Sequence, residues 1–545
     1  NNFSMVVLTN QSSTISVSIL SKVAESRGDS IDLPHLPLLP IKTTYDTCPY
    51  SFYTLSAATQ WILMVFLPIV WVLTVIYATV IPKSRVGILS IKKSYQDMVS
   101  GRQSRLSFLD IMRVVAILWV MMNHTGSEGR IDILERLPSA VAFKTAVHEH
   151  PIFGALLGNS ALGVEVFLVL SGLLAARSWQ KNHHLPFFSH YSKYVYRRVS
   201  RLVPSVFIFI MIAAGPLIKY LLPRFESTMI SACGVKGLLA HILFVGNWQE
   251  IPTCLGYLWY IGLDMQLHLM APFFMWALNK NSRVAIGIVA FTVFGSSIIR
   301  AIYCITYDIC NKSDVDIPFI SYPDSDPIAI RSVYLGLWEM YARPYTKCGP
   351  FLIGLTFGWI SASWEKSAAR ISKKVACMMF FCGGIMAILT IYAILPEYWW
   401  PDMSSNIYNV TYTATFRSVF ATSLICMIAA LTQTTEPVYV PVFWSVLARL
   451  TFAAYLLHMP VVYIFNYLDY LQKAESAIAL LVVLPAVAAV SFTVAIPFYL
   501  LIESPIGRIS VIYETYHNTP SSSSIETRTS DVNHNVPLLN SKLEE

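Results

Sequence analysis

The chain has 545 residues, of which 55% are hydrophobic and 13% charged, with a net charge of +7 and a mean hydropathy of +0.54. A soluble domain carries roughly 25% charged residues, so this composition excludes a string of water-soluble domains. The modest positive charge sits in clusters between apolar runs, which reads as membrane topology rather than nucleic-acid binding.

Residues 1–58 are polar and contain Ser, Thr and Pro. They read as a short extracellular or luminal amino-terminal segment, and no signal-peptide pattern precedes the first apolar run. That run is 61–81, followed by a basic stretch (Lys83, Arg85, Lys92, Lys93, Arg102, Arg105) and a second run at 108–123. Further apolar runs lie at 156–176, 202–222, 255–278, 284–304, 350–364, 375–395, 416–433, 449–468 and 477–502, with a re-entrant or interfacial segment at 235–248. Crossing ~30 Å of hydrocarbon takes ~20 residues, so the runs at 350–364 and 416–433 look short. The expected fold is an all-α polytopic transmembrane bundle of about 11 spans (10–12) over residues 59–508. Residues 509–545 are Ser/Thr-rich and read as a disordered cytoplasmic tail.

The basic segments 83–105, 177–201, 280–283 and 366–374 all fall on one side when eleven spans are threaded in order. By the positive-inside rule that side is the cytoplasm, which puts the amino terminus outside and the carboxyl terminus inside. The sequons at Asn10, Asn311 and Asn409 then lie outside as glycosylation sites, in a plasma-membrane or endomembrane protein. Of the nine cysteines, Cys377, Cys382 and Cys426 lie in apolar runs and read as buried thiols. Cys233 with Cys254, and Cys304 with Cys310, lie near outer segments, and each pair can form a disulfide. No metal-binding motif is present.

Ionisable residues inside spans are costly and mark function by default. In the second span Arg113 and His124 are eleven steps apart, almost three turns, so they share a face roughly 16 Å apart along the axis. Asp110 lies one turn before Arg113 and can pair with it. Gly163-Val-Glu165 and Ser171-Gly172 follow in the third span, where the glycines suit close helix packing and Glu165 needs a partner. Arg198 and Arg201 are one turn apart, so both guanidiniums can face one phosphate-bearing ligand. The fifth span carries Trp259, Asp264 and His268, the last two four apart and able to hydrogen-bond. His458 and Glu503 give weaker signals near the carboxyl end. There is no G-x-S-x-G elbow, Walker A loop, H-E-x-x-H or H-x-x-x-x-D pattern, which argues against a serine hydrolase, an ATP-driven pump and a zincin.

The stretches FLDIMRVVAILWVMMNHTG, GVEVFLVLSGLL, YVYRRVSRLVPS, LGYLWYIGLDMQLHLMAP, YARPYTKCGPFLIGLTFGW, ARLTFAAYLLHMP and IESPIGR occur in that order over about residues 105–510. Together they resemble the acyltransferase-3 family, in its animal, nose-resistant-to-fluoxetine-like branch. The resemblance implies transfer of an acyl group, often acetyl, from acyl-CoA as co-substrate to a hydroxyl of a lipid, sugar or small molecule, with no permanently bound cofactor. It implies Arg113 and His124 as the essential pair of the first motif and Arg198 and Arg201 as the acyl-CoA-binding R-x-x-R pair. Asp110, Glu165, Trp259, Asp264, His268 and His458 stand as supporting or acceptor-site residues. Two departures are visible: Cys48 and a short segment stand where animal members often carry a Cys-rich domain, and His268 stands where an aromatic is more usual. The intramembrane charges also suit a transporter or lipid- and drug-handling protein without acyl transfer, and a scaffold or receptor would leave them without a purpose.

Overall fold

The computed structural model describes residues 61–509, apart from 85, 102–103, 127–148, 151, 160, 182–185, 231–232, 250–253, 311–326, 368–370, 401–404, 433–437, 467, 469 and 471–477. Asn10, Cys48, Asn311 and the tail from 510 lie outside the described residues. In chain order the helices are α1 (Leu67–Val80, entered by a π turn at Ile62–Phe66), α2 (Ile91–Val99), α3 (Phe108–Gly126), α4 (Phe153–Gly158), α5 (Leu162–Gln180), α6 (Phe187–Ala213), α7 (Pro216–Leu221) and α8 (Val235–Ile242). They continue with α9 (Trp259–Lys280), α10 (Ser282–Thr306), α11 (Pro327–Ala342), α12 (Pro344–Ser367), α13 (Lys373–Tyr392), α14 (Leu395–Trp399), α15 (Asn406–Thr432), α16 (Val442–Asn466) and α17 (Ile478–Phe498). Among the described residues there is no strand. The chain is all-α.

Among the described residues, seven helices are long and apolar enough to cross a membrane: Phe108–Thr125, Leu162–Gln180, Ser282–Thr306, Lys373–Trp399, Asn406–Thr432, Val442–Asn466 and Val482–Ile509. The other four apolar runs fall on α1, α6, α9 and α12. The last three of these carry polar groups, Arg198 and Arg201 on α6, Asp264, Gln266 and His268 on α9, and Lys347 on α12, and these dilute the hydropathy of otherwise long helices.

The boundaries differ from the apolar runs in an informative way. The runs at 350–364 and 416–433 looked short, yet α12 has 24 residues and α15 has 27. Each is extended at its start by polar residues that pack inward, Thr346 and Lys347 on α12 and Asn409 and Thr413 on α15, all buried. The run at 202–222 begins fifteen residues earlier, because α6 continues through the basic segment, and it breaks near Gly215. The segment at 235–248 holds an 8-residue helix and a 3-10 turn at Gly246–Trp248. Polar starts are set by caps: Asn281 accepts from the Val284 amide and Ser372 from the Val375 amide, which satisfies amide groups that a helix leaves open at its first turn.

The tightest helix pair is α5 against α12. A Cβ on Gly172 would lie 2.0 Å from the Phe351 carbonyl oxygen, and one on Gly354 would lie 2.1 Å from that of Val169. Only hydrogen fits there, so the backbones touch, as small residues allow in membrane helices. The match of 169 with 354 and of 173 with 358 makes the two helices parallel. Helix α9 packs against both, while α3 packs against α5, α16 and α17. The cysteine expectation needs one correction. Cys377 and Cys382 are exposed and Cys426 is half-buried, whereas Cys348 is buried. In a membrane bundle the outward face is as apolar as the inward one, so an apolar run does not distinguish them. The disulfides are Cys233–Cys254 and Cys304–Cys310.

Candidate active site

Three polar clusters converge on the first half of α9. The first joins α3 to α16. The rings of His124 and His458 stack 4.9 Å apart, and His124 Nδ1 lies 2.6 Å from His458 Nε2. His458 Nδ1 lies 2.7 Å from the Tyr455 carbonyl oxygen. A carbonyl only accepts, so His458 carries its proton on Nδ1. Its Nε2 is then the acceptor, and His124 must donate from Nδ1. In the neutral pair this assignment makes His124 Nε2 a proton acceptor. Tyr257 stands edge-on to His458 at 5.6 Å and donates to the Leu456 carbonyl, while Tyr455 donates back to the Tyr257 carbonyl. His458 is fully buried and His124 is 7% exposed.

The second cluster lies two turns further along α9. Asp264 accepts from Ser171 of α5 at 2.5 Å and pairs with Arg198 of α6. His268 Nδ1 lies 2.8 Å from the Asp264 backbone carbonyl, against 3.5 Å from its carboxylate. The expected carboxylate–imidazole bond is therefore replaced. The i−4 carbonyl of the helix orients the ring, and the carboxylate is held by the hydroxyl and guanidinium of two other helices. The Ser171 proton is committed to Asp264, so Ser171, His268 and Asp264 do not form a nucleophile relay. Arg198 and Arg201 have different neighbours. Arg198 faces Asp264, and Arg201 is exposed and acts electrostatically on Glu503 at the end of the last helix.

The third cluster was largely missed by sequence reasoning. Glu165, fully buried, takes Lys347 Nζ at 2.5 Å and Arg417 Nε at 3.5 Å. Lys347 lies 4.2 Å from the Tyr341 ring centre and 5.4 Å from that of Trp259, a cation–π cage that offsets part of the cost of burial. Arg300 is also fully buried, donating to the Ala414 and Thr346 carbonyls and to Ser296 and Ser297. The signal was available, because Arg300, Lys347 and Arg417 all sit in apolar stretches where the rule that flagged Arg113 applies equally.

Arg113 pairs with Asp110 at 3.4 Å, and Asp110 also accepts from Ser445 of α16 at 2.9 Å. This pair lies at the opposite end of α3 from His124, so the structure joins Arg113 to Asp110 and not to the histidines. The glycosylation expectation at Asn409 is corrected. Its side chain is 7% exposed and its amide nitrogen donates to Glu397 at 2.8 Å, so the atom that would bear a glycan is buried and engaged within a helix. Glu339, on the shorter helix α11, is bonded by Arg343 and by Tyr345. The Arg343 hydrogen bond holds its carboxyl below the usual carboxylate range.

An acyltransferase domain model of the acyltransferase-3 family matches residues 106–501, which takes in all three clusters. The chain belongs to the acyltransferase-3 family. It is 56% identical over 447 residues to the regulator of hypoxia-inducible factor 1 of Caenorhabditis elegans, covering 82% of this chain and 88% of that protein. It is 26% identical over 439 residues to nose resistant to fluoxetine protein 6 of the same organism, covering 73% of this chain and 50% of that protein. No solved structure matches. As a member of the family this chain is a multi-pass membrane protein of acyltransferase type.

Proposed function

We propose that this acyltransferase-3 protein moves an acyl group from acyl-CoA to a hydroxyl-bearing acceptor, with His124 as general base. The observation that carries the reading is the chain of bonds from the Tyr455 carbonyl through His458 to His124. It supports the tautomer in which His124 Nε2 is the basic nitrogen, as a catalytic dyad requires. His458 is a positioning residue. The acceptor hydroxyl gives its proton to His124 Nε2 as its oxygen attacks the thioester carbonyl. The carbon–sulfur bond breaks, and the departing thiolate takes the proton back from the imidazolium.

The CoA phosphates meet Arg201 and the exposed edge of Arg198, at the basic ends of the helices. Asp264 and Ser171 hold the Arg198 guanidinium in place from the other side. Arg113, paired with Asp110, stands on the donor route nearer that end. The test is transfer of a labelled acetyl group from acetyl-CoA by purified protein in nanodiscs. His124→Ala is expected to lower the rate about 10²–10⁴-fold, and Arg201→Ala to raise the concentration of acetyl-CoA needed. A folded His124→Ala protein working at the unaltered rate would refute the role of His124. Absence of any CoA binding to the unaltered protein would favour a transporter instead.

A further inference from the structure

A cleft outside the histidine pair opens between α11, α14 and α15. It shares no lining residue with His124, His458 or Tyr257. One wall is a single face of α15. Asn409, Tyr412, Phe416 and Arg417 line it at i, i+3, i+7 and i+8, so the slot runs roughly 12 Å along the axis at 1.5 Å per residue. Its two ends differ. At the mouth Glu397 accepts from Asn409, beside exposed Trp399, Trp400 and Tyr408. Such aromatic residues favour the membrane–water boundary. At the floor Arg417 is 3% exposed, donates from one terminal nitrogen to the Met340 carbonyl, and turns its Nε toward Glu165 at 3.5 Å without a hydrogen bond. Between the two ends the walls are the rings of Tyr341, Tyr412 and Phe416.

The charge at the floor is lopsided. Arg417, Lys347 and Arg300 are set against Glu165, so these four residues carry two more positive than negative charges. A buried cation that lacks full compensation is costly, and an anion brought beside it recovers part of that cost.

We propose that this cleft binds an amphiphile with one anionic head, a carboxylate or phosphate, inserted head-first from the membrane boundary so that the head meets Arg417 and the chain lies along the aromatic walls. The acidic mouth disfavours a second anionic group at the far end of the ligand. The site does not depend on acyl transfer and holds whether or not His124 is a base.

The test uses the full chain in nanodiscs and three probes of graded chemistry: laurate, dodecanol and butyrate. Laurate is expected to bind at least about tenfold more tightly than either of the others, a ratio worth about 1.4 kcal/mol. Dodecanol binding as tightly as laurate would overturn the role of the anionic head. Butyrate binding as tightly would overturn the amphiphile in favour of a small soluble anion. Arg417→Gln is expected to remove the preference for laurate over dodecanol, and a folded variant that keeps it refutes the assignment. Should that variant not fold, photoreactive laurate on the unaltered protein serves the same purpose. Crosslinks to 337–341 or 406–417 support the cleft, and crosslinks confined elsewhere overturn it.

Discussion

Replacing Lys347 by Met removes one cation from a cluster in which Glu165 faces Lys347 at 2.5 Å and Arg417 at 3.5 Å, with Arg300 nearby. Breaking a buried pair by deleting one partner costs about 3–5 kcal/mol, because the other charge is left uncompensated. Here the loss for Lys347→Met falls at the low end, about 3 kcal/mol, since Arg417 stays within reach of the carboxylate. Glu165→Gln is the harsher change, at about 4–5 kcal/mol, because it leaves three cations with no carboxylate among them. The double variant is expected to cost less than the sum of the two, by about 2 kcal/mol, as neighbours in one network do not add. The assay is unfolding in detergent micelles followed by tryptophan fluorescence, with the four proteins run side by side. If Lys347→Met costs more than Glu165→Gln, or if the two effects simply add, the account of a cation-rich cluster held by one carboxylate is wrong.

The remaining predictions follow from single contacts. Gly354→Ala forces a Cβ to within 2.1 Å of the Val169 carbonyl and is expected to cost about 1–3 kcal/mol by overpacking; the melting temperature should fall, while Gly287→Ala, which meets nothing within 4 Å, leaves it unchanged or raises it. Joint replacement of Cys233 and Cys254 by Ser opens a loop with a sequence separation of 21 and should lose about 3 kcal/mol, and a reductant titration on the unaltered protein should show the same drop. His458→Ala should lower acyl transfer about 10–100-fold, less than His124→Ala does, and should shift the pH profile, because the ring that fixes the His124 tautomer is gone. Glu339 has a folded-state value below its ordinary 4.5, so the stability it contributes is complete above that value and is lost as pH falls through the folded one. Glu339→Gln should therefore lower stability at neutral pH and change it little in strong acid, so that the acid side of the stability curve flattens.

Much of the site was legible because the membrane makes polar residues conspicuous. Asp264, His268, Glu165 and His124 all stood out in apolar runs, and all are buried in the bundle. Their partners were not legible, because each comes from a different helix. Asp264 is completed by Ser171 of α5 and Arg198 of α6, and His124 by His458 of α16, 334 residues away. The pairing of Asp264 with His268 looked natural at four residues apart, yet within one helix the nearer acceptor for the imidazole is the backbone carbonyl. Lys347 was passed over because it precedes the apolar run at 350–364, and Arg417 because the run at 416–433 was judged by its apolar residues.

Sequence alone determined that the chain is a helical membrane bundle, since burial in lipid demands long apolar helices and leaves that demand visible in composition and period, and its ordered motifs carried the resemblance to its family. It also showed which side chains are out of place in hydrocarbon. Only the tertiary structure decided what those side chains do. Close approach of α5 and α12 at Gly172 and Gly354 brings Glu165 to Lys347, and the stacking of His124 on His458 sets which nitrogen accepts a proton. A hydrogen bond acts over about 3 Å, so the roles of these groups follow from helix contacts that no spacing along the chain encodes.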